Sequence, residues 1–117
     1  MIQGIGVDIV DLDRMQKAIA RSERFITRIL TLKEKVYFYS LNAQRKVEYA
    51  AGRFAVKEAF AKALGTGLRK LDLQDIETLT DNLGAPYVNK APFTGKVWVS
   101  ISHTEKTAIA QIVLESI

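Results

Sequence analysis

The sequence predicts an α+β fold, in which an N-terminal strand and several helices, including one long central helix, pack on an antiparallel sheet. Three observations carry this prediction. Residues 2–9 alternate like a strand, residues 44–64 have the periodicity of a long helix, and the sequence after residue 74 falls into short apolar runs separated by turns. Helices concentrated in the first half and strands in the second are typical of the α+β class.

The first strand has two unlike faces. Ile5, Val7 and Ile9 fall on one face, while the other carries two glycines and Asp8. The glycines favour close approach by another segment. An acid at the end of an apolar strand is costly unless it is paired, bound to a metal or at the solvent edge. The alternative is that Asp8 only helps Asp11 to start the next helix.

Four helices are predicted between the first strand and residue 64. Asp11 is the expected N-cap of a helix that reaches about residue 21, and a short second helix follows around residues 25–30. Thr31 and Glu34 form a capping-box pattern at the start of a third helix. The long helix then ends at Gly65, in the manner of a glycine C-cap.

The rest of the chain predicts four strands, and the last two are expected to pair as an antiparallel hairpin. Their predicted bounds are residues 74–80, 86–89, 96–102 and 107–114. No linker or long-period repeat divides the sequence, so residues 1–117 are predicted to form a single domain.

The composition excludes several kinds of site. Cysteine is absent and there is one histidine, which excludes disulfide scaffolds, cysteine nucleophiles and histidine-rich zinc sites. No apolar run approaches the roughly 20 residues of a membrane span, and the N-terminus lacks a signal-peptide pattern. We therefore predict a cytoplasmic protein that does not associate with membranes. The net charge of +4 favours an anionic partner.

Three charged side chains and the single histidine are candidates for chemistry. Glu58 and Lys62 are one helical turn apart and share a face with Phe54. The simplest interpretation is a surface ion pair between them. Together with Asp8, however, Glu58 would supply two hard oxygen ligands for a Mg²⁺ ion that takes its other ligands from water and substrate phosphates. His103 ends a strand, where a single histidine is more often structural or exposed than catalytic.

The first two helices carry a stripe of basic residues if their path is continuous. Its members follow one another at steps of three and four positions: Arg14, Lys17, Arg21, Arg24 and Arg28. Apolar anchors beside it would come from Met15, Phe25 and Ile29. The stripe is either a solvated face or a docking surface for an acidic partner.

Three segments resemble the holo-acyl-carrier-protein synthase family of 4′-phosphopantetheinyl transferases. They are residues 4–11 (GIGVDIVD), 53–67 (RFAVKEAFAKALGTG) and 100–104 (SISHT), in the order and spacing of the family. The resemblance covers nearly the whole chain. It implies Mg²⁺-dependent transfer of phosphopantetheine from coenzyme A to a serine of an acidic apo acyl carrier protein, in fatty acid biosynthesis, with release of adenosine 3′,5′-bisphosphate. It also implies a homotrimer with active sites at the subunit boundaries.

The resemblance assigns a role to each candidate. Asp8 and Glu58 would bind Mg²⁺ with the coenzyme diphosphate, Lys62 would contact substrate phosphate or the attacking region, and His103 would lie in the coenzyme pocket. Glu58, acting through a water molecule, is the first choice as acceptor of the serine proton, and His103 is the second. Further coenzyme-binding positions would be Arg53, Gly65, Thr66, Gly84 and Pro86. Carrier docking would use Arg14, Arg21, Arg24, Phe25 and Arg28.

One position departs from the family pattern, and two other functions compete. Ala85 stands before Pro86 where a basic residue is common, so no side-chain contact with phosphate is expected there. A nucleic-acid-binding module would explain the basic residues but leaves Asp8 and Glu58 without a role. A trimeric scaffold with structural carboxylates would show no magnesium-dependent ligand.

Overall fold

The computed structural model describes residues 1–67 and 71–117. Strand β1 (Ile2–Asp11) leads into helices α1 (Leu12–Arg21), α2 (Glu23–Ile29), α3 (Leu32–Tyr39) and α4 (Ala43–Leu64). A 3₁₀ turn (Leu73–Asp75) then precedes strands β2 (Glu77–Thr80), β3 (Pro86–Lys90), β4 (Lys96–His103) and β5 (Thr107–Glu115). This order of elements confirms the predicted α+β class.

The strands form a three-stranded sheet and a separate hairpin. In the larger sheet the order is β1-β5-β4, with both pairs antiparallel, and among the described strands β2 pairs only with β3. The predicted hairpin of the last two strands is therefore confirmed. Ala110 on β5 lies between Asp8 on β1 and Ile101 on β4, so the three residues share a row and a face of the sheet.

Helix α4 lies on the glycine-bearing face of β1. A Cβ atom at Gly6 would overlap the carbonyl oxygen of Ala59, and one at Gly4 would overlap that of Ala63. Because both obstacles are helix backbone, only glycine permits this close packing of strand and helix. The segment that packs closely against the glycines is thus the long helix, and these contacts fix the position of α4 along β1.

The other face of β1 is largely exposed in the single chain. Ile5, Val7 and Ile9 are 61%, 50% and 62% exposed, and the neighbouring strands add the exposed side chains of Trp98 and Ile109. A contiguous apolar surface of this kind is characteristic of a protein contact rather than of a free surface.

The predicted helix ends are confirmed. The Asp11 carboxylate accepts a hydrogen bond of 2.9 Å from the N–H of Asp13, and Thr31 and Glu34 form both bonds of the capping box. Gly65 ends α4 with a φ of 85°, in the left-handed region that favours glycine. No helix in the described ranges is both long and apolar enough to cross a membrane.

The predicted strand at residues 74–80 begins too early. Residues 73–75 form the 3₁₀ turn instead, and β2 starts at Glu77. The reason is the side chain of Gln74, whose amide donates hydrogen bonds to the carbonyl oxygens of Thr27 and Leu30 at 3.0 and 2.9 Å. By satisfying carbonyl groups at the end of α2, Gln74 holds this segment away from the sheet.

The prediction of a basic stripe along one continuous helical path is also wrong. Ser22 is extended, with φ −161° and ψ 131°, and its hydroxyl caps α2 by accepting from the N–H of Arg24 at 3.2 Å. The basic residues are therefore divided between two helices. Met15 and Ile29 are 3% and 2% exposed and belong to the core, so they are not available as surface anchors.

Candidate active site

Asp8 and Lys62 are in direct contact. Strand alternation places Asp8 on the face packed against α4, and Lys62 is in the last turn of that helix. The Lys62 ammonium lies 3.1 Å from Asp8 Oδ1 and donates a second hydrogen bond of 3.0 Å to the carbonyl oxygen of Val7. The expected surface pair between Glu58 and Lys62 is therefore replaced by a pair between helix and strand.

Glu58 lies one turn before Lys62 and is partly buried. Burial raises the pKa of its carboxyl group, the negative charge of Asp8 raises it further, and the Lys62 ammonium opposes the rise. Among the residues that the structure describes, its carboxylate receives no hydrogen bond. Two carboxylates close enough to repel each other, with the Lys62 ammonium nearby, form a site that favours an added cation.

The donor set at this site fits a magnesium ion that is only partly held by protein. Asp8 and Glu58 offer carboxylate oxygens, the hard ligands that Mg²⁺ prefers, and Mg²⁺ usually keeps several waters or takes phosphate oxygens from a substrate. Within residues 1–67 and 71–117, no group of three or more histidine, aspartate or glutamate side chains is arranged to hold a metal. The arrangement thus suits a cation shared with a phosphate ligand and not a fully protein-enclosed metal.

A second cluster surrounds His103 at the end of β4. It lines a cleft of about 280 Å³ between α4, β4 and the turn that joins β2 to β3. His103 Nδ1 lies 4.0 Å from a carboxylate oxygen of Glu48 on α4. The cleft also contains Arg53, Gly84 and Pro86, three of the positions expected to bind coenzyme.

Arg53 forms the inner wall of this cleft. It is 7% exposed, donates from Nε to the carbonyl oxygen of Thr78 at 3.2 Å and from Nη2 to the Thr80 hydroxyl at 2.9 Å. Its guanidinium stacks on the ring of Tyr49 at 4.3 Å. Burial raises the pKa of Tyr49 to about 12, against the lowering effect of the Arg53 charge. Arg53 thus joins α4 to β2 while adding positive charge to the cleft.

The turn before β3 is organised by Asp81. Its Oδ1 accepts hydrogen bonds from the N–H groups of Leu83 and Ala85, both at 2.9 Å. Gly84 has a φ of 88°, which favours glycine. Since Asp81 uses the Ala85 N–H and the Ala85 side chain has no charge, this position does not offer the basic contact that is common in the family pattern.

The two clusters lie on opposite outer strands of one sheet. Asp8 is on β1 and His103 is on β4, both on the face covered by α4. Two strand spacings separate these strands by about 10 Å, and α4 crosses the sheet from β4, where Gly52 meets Ile101, to β1, where Ala59 meets Gly6. Within one chain the predicted site residues therefore form two half-sites instead of a single pocket.

Comparison with known proteins places this geometry in a family. The family model of the 4′-phosphopantetheinyl transferase superfamily matches residues 4–113. A holo-[acyl-carrier-protein] synthase of Enterococcus faecalis is 56% identical over 116 residues, which cover 99% of each chain. The chain belongs to the holo-acyl-carrier-protein synthase family of phosphopantetheinyl transferases.

Solved structures of this family superpose over almost the whole chain. A holo-(acyl-carrier-protein) synthase from Bacillus anthracis, in complex with CoA (3′,5′-ADP), has a TM-score of 0.93 and 42% identity, covering 100% of this chain and 99% of its own. The enzyme from Helicobacter pylori in complex with coenzyme A has a TM-score of 0.84 and 32% identity, covering 95% and 99%.

The expected carrier-docking residues of this synthase-family chain lie on α1 and α2. Arg14, Arg21, Arg24 and Arg28 are all exposed, and none forms an ion pair within the described part of the chain. Phe25 is half-buried and packs against Phe54 of α4, with ring centroids 6.5 Å apart. The four arginines thus form a cationic surface on two short helices, with the ring of Phe25 at its base.

Gly65 and Thr66 lie at the end of α4, on the side of the Asp8 cluster. The Gly65 N–H donates to the carbonyl oxygens of Ala61 and Lys62 at 3.0 and 3.1 Å, and the Thr66 hydroxyl is exposed. The C-cap function of Gly65 accounts for its conformation. Contact of either residue with a coenzyme phosphate stays a prediction.

Sequence reasoning missed the residues that accompany His103. Glu48 approaches the imidazole, and Tyr49 supports Arg53, yet neither has a recognisable local motif. The available signal was their position on the long helix, where Glu48 is four residues before Gly52 and Tyr49 four residues before Arg53. It becomes informative only once α4 is known to pass beside β4, where Gly52 meets the side chain of Ile101.

Proposed function

We propose that this chain transfers the 4′-phosphopantetheine group of coenzyme A to a serine of apo acyl carrier protein in a Mg²⁺-dependent reaction that releases adenosine 3′,5′-bisphosphate. The observation that carries the proposal is the meeting of Asp8, Glu58 and Lys62 at one point of a chain from this family. Relatives with the same fold are described in complex with coenzyme A, which supports the choice of donor.

The chemistry requires positioning and charge neutralisation. The serine oxygen attacks the β-phosphate of coenzyme A, a new P–O bond forms, and the bond to the leaving bisphosphate breaks. Lys62 would offset negative charge on the diphosphate, and a Mg²⁺ ion held by Asp8 and Glu58 would supply further neutralisation. Glu58, acting through a water molecule, is the favoured acceptor of the serine proton because it belongs to the cluster that would hold the diphosphate, and burial and the charge of Asp8 raise the pKa of its carboxyl group.

A homotrimer would join the two half-sites. The His103 cleft supplies coenzyme contacts on one edge of the sheet and the Asp8 cluster supplies diphosphate contacts on the other, so head-to-tail association of identical chains can complete each site from two subunits. The exposed apolar face of β1, with Ile5, Val7 and Ile9, is available for that contact. Sedimentation equilibrium should give three times the 13.1 kDa mass of the chain, and a single-chain mass would contradict this assembly.

The acidic carrier protein would dock on the arginines of α1 and α2. Replacing Arg14, Arg21 and Arg24 with alanine should raise the KM for the carrier roughly tenfold and leave the KM for coenzyme A within about twofold, because surface charges mainly steer and orient encounter. The loss should diminish at high salt. Steady-state kinetics in both substrates measures this.

A matched control removes three other positive charges. Lys90, Lys96 and Lys106 are exposed and lie outside α1 and α2. Their replacement by alanine should leave the carrier KM nearly unchanged. If both triple variants raise it equally, net charge and not a defined docking surface governs the encounter.

Mass spectrometry of the carrier protein tests the function itself. Apo carrier incubated with this chain, coenzyme A and Mg²⁺ should gain about 340 Da, the mass of a serine-linked phosphopantetheine group. Omission of Mg²⁺ should prevent the gain. If the carrier gains no mass with or without Mg²⁺, the scaffold or nucleic-acid-binding alternatives are favoured.

We propose that the reaction serves fatty acid biosynthesis, as the resemblance to the family implies, and that it takes place in the cytoplasm, as the sequence predicts.

A further inference from the structure

The ammonium of Lys62 is held by two acceptors on β1. It lies between Asp8 Oδ1 at 3.1 Å and the Val7 carbonyl oxygen at 3.0 Å. Among the described strands β1 pairs only with β5, and the Val7 carbonyl accepts this bond from α4. The Lys62 side chain is 56% exposed and that of Asp8 is 17% exposed, so the ammonium is the more solvent-accessible partner of the pair.

The position of the ammonium conflicts with a divalent cation at the same carboxylate. Two positive charges on neighbouring oxygens of one aspartate repel each other, and little bulk water separates them at a partly buried site. Glu58, the second carboxylate, receives no hydrogen bond within the described part of the chain. Among residues 1–67 and 71–117, the charge of Asp8 is therefore balanced by Lys62, and that of Glu58 is not balanced by direct contact.

We propose that Lys62 is the resident counter-ion of Asp8 and yields this position to the divalent cation only when a diphosphate offers its ammonium another anion. The inference rests on the proposed function and adds the order of events, in which the diphosphate takes the Lys62 ammonium before the metal takes Asp8. A lysine ammonium on a flexible four-carbon stem can move between the two anions with only a change of side-chain rotamer. Asp8 is then released for the metal as the coenzyme arrives.

The consequence is coupling between the metal and the coenzyme. A divalent cation that binds alone must displace Lys62 to reach Asp8. A cation that binds together with a diphosphate need not do so, because the diphosphate has already drawn the Lys62 ammonium away. By thermodynamic reciprocity, each ligand then raises the affinity for the other. The protein binds the pair in preference to either one alone.

Binding of Mn²⁺, a paramagnetic substitute for Mg²⁺, tests this directly. Free Mn²⁺ is measured by electron paramagnetic resonance, with and without coenzyme A and with no carrier protein present. For the parent protein we expect weak Mn²⁺ binding that coenzyme A strengthens. The K62M variant should bind Mn²⁺ without coenzyme about fivefold more tightly, and coenzyme A should strengthen its binding less than in the parent.

Two control variants separate the possible failures. K17M removes an exposed lysine whose ammonium lies 3.1 Å from Asp13, and it should leave Mn²⁺ affinity unchanged. D8N should weaken Mn²⁺ binding in the presence of coenzyme A. If K62M binds Mn²⁺ no more tightly than the parent while coenzyme A still promotes binding, the counter-ion inference is overturned and the proposed function stands. If D8N binds as well as the parent with coenzyme A, the metal site itself is wrong.

Discussion

Replacing Glu58 with glutamine should lower the rate of carrier modification by about 100-fold or more, the usual effect of removing one group that neutralises charge at a reacting centre. The same change should leave the protein at least as stable as the parent. Burial and the nearby charge of Asp8 raise the pKa of Glu58, which means that the fold disfavours its ionised form. A neutral amide of the same shape removes that penalty.

Loss of activity combined with unchanged or increased stability would identify Glu58 as a residue retained for function. Turnover is measured by the mass gain of the carrier, and stability by thermal unfolding at fixed protomer concentration. Asp75→Asn, the same acid-to-amide change at an exposed position of the 3₁₀ turn, is the matched control and should alter neither. Near-normal turnover of Glu58→Gln would contradict its role as a metal ligand, and a large drop in unfolding temperature would indicate a structural role.

The elements with short-range signals were predictable from sequence. Thr31 and Glu34 are three positions apart, so their reciprocal capping bonds depend on residues that the pattern shows together. The same is true of Gly65 at the end of α4. The start of β2 was misjudged because the conformation there depends on Gln74 reaching carbonyl groups of α2, far away in the sequence.

The candidate site was predictable only in part, for the same physical reason. Helical spacing alone puts Glu58 and Lys62 one turn apart. Their meeting with Asp8 depends on the packing of α4 against β1, which the contacts of Gly6 with Ala59 determine. The two glycines signalled close approach without showing what approaches. The role of Glu48 beside His103 depends entirely on that packing.

A buried ion pair next to the site had no interpretable sequence signal. Lys57 on α4 and Glu34 on α3 are both fully buried, with Lys57 Nζ 2.8 Å from Glu34 Oε1 and 2.9 Å from the Leu73 carbonyl oxygen. Glu34 also accepts hydrogen bonds from the N–H groups of Thr31 and Thr78 at 2.8 and 2.9 Å. Sequence reasoning assigned Glu34 to the capping box alone. Its carboxylate in fact joins α3, α4 and β2.

A second hydrogen-bonded carboxylate borders this pair. Glu77 accepts from the hydroxyl of Thr31 and, at 2.9 Å, from the side-chain amide of Asn89. Burial acts to raise the pKa of Glu77, but these hydrogen bonds, with the charges of Lys33 and Lys90, lower it overall. Its contribution to stability is therefore present above the usual glutamate pKa and is lost as the pH falls through its lowered value.

Lys57→Met should destabilise the protein by about 3–5 kcal/mol, the usual cost of removing one partner of a buried ion pair. Methionine fills a similar volume, but it leaves the Glu34 carboxylate without its cation and the Leu73 carbonyl without a donor. Burial, which acts most strongly, lowers the pKa of Lys57, and the charge of Glu34 counteracts this. The Glu34 carboxylate thus offsets the cost of burying the Lys57 ammonium, and the ammonium does the same for the carboxylate.

The exposed pair of Lys17 and Asp13 provides a control in which burial is the main difference. Its two charged atoms are 3.1 Å apart, but the side chains are 71% and 69% exposed. Lys17→Met should cost no more than about 0.5 kcal/mol, as is usual for helix surface pairs. Urea unfolding at fixed protomer concentration measures both variants. Equal effects would mean that the buried network contributes nothing beyond packing. If Lys57→Met instead destabilises the protein much more than Lys17→Met, and adding Glu34→Gln partly reverses the loss, electrostatic coupling between α3 and α4 is identified. That coupling then holds the site-bearing helix in place.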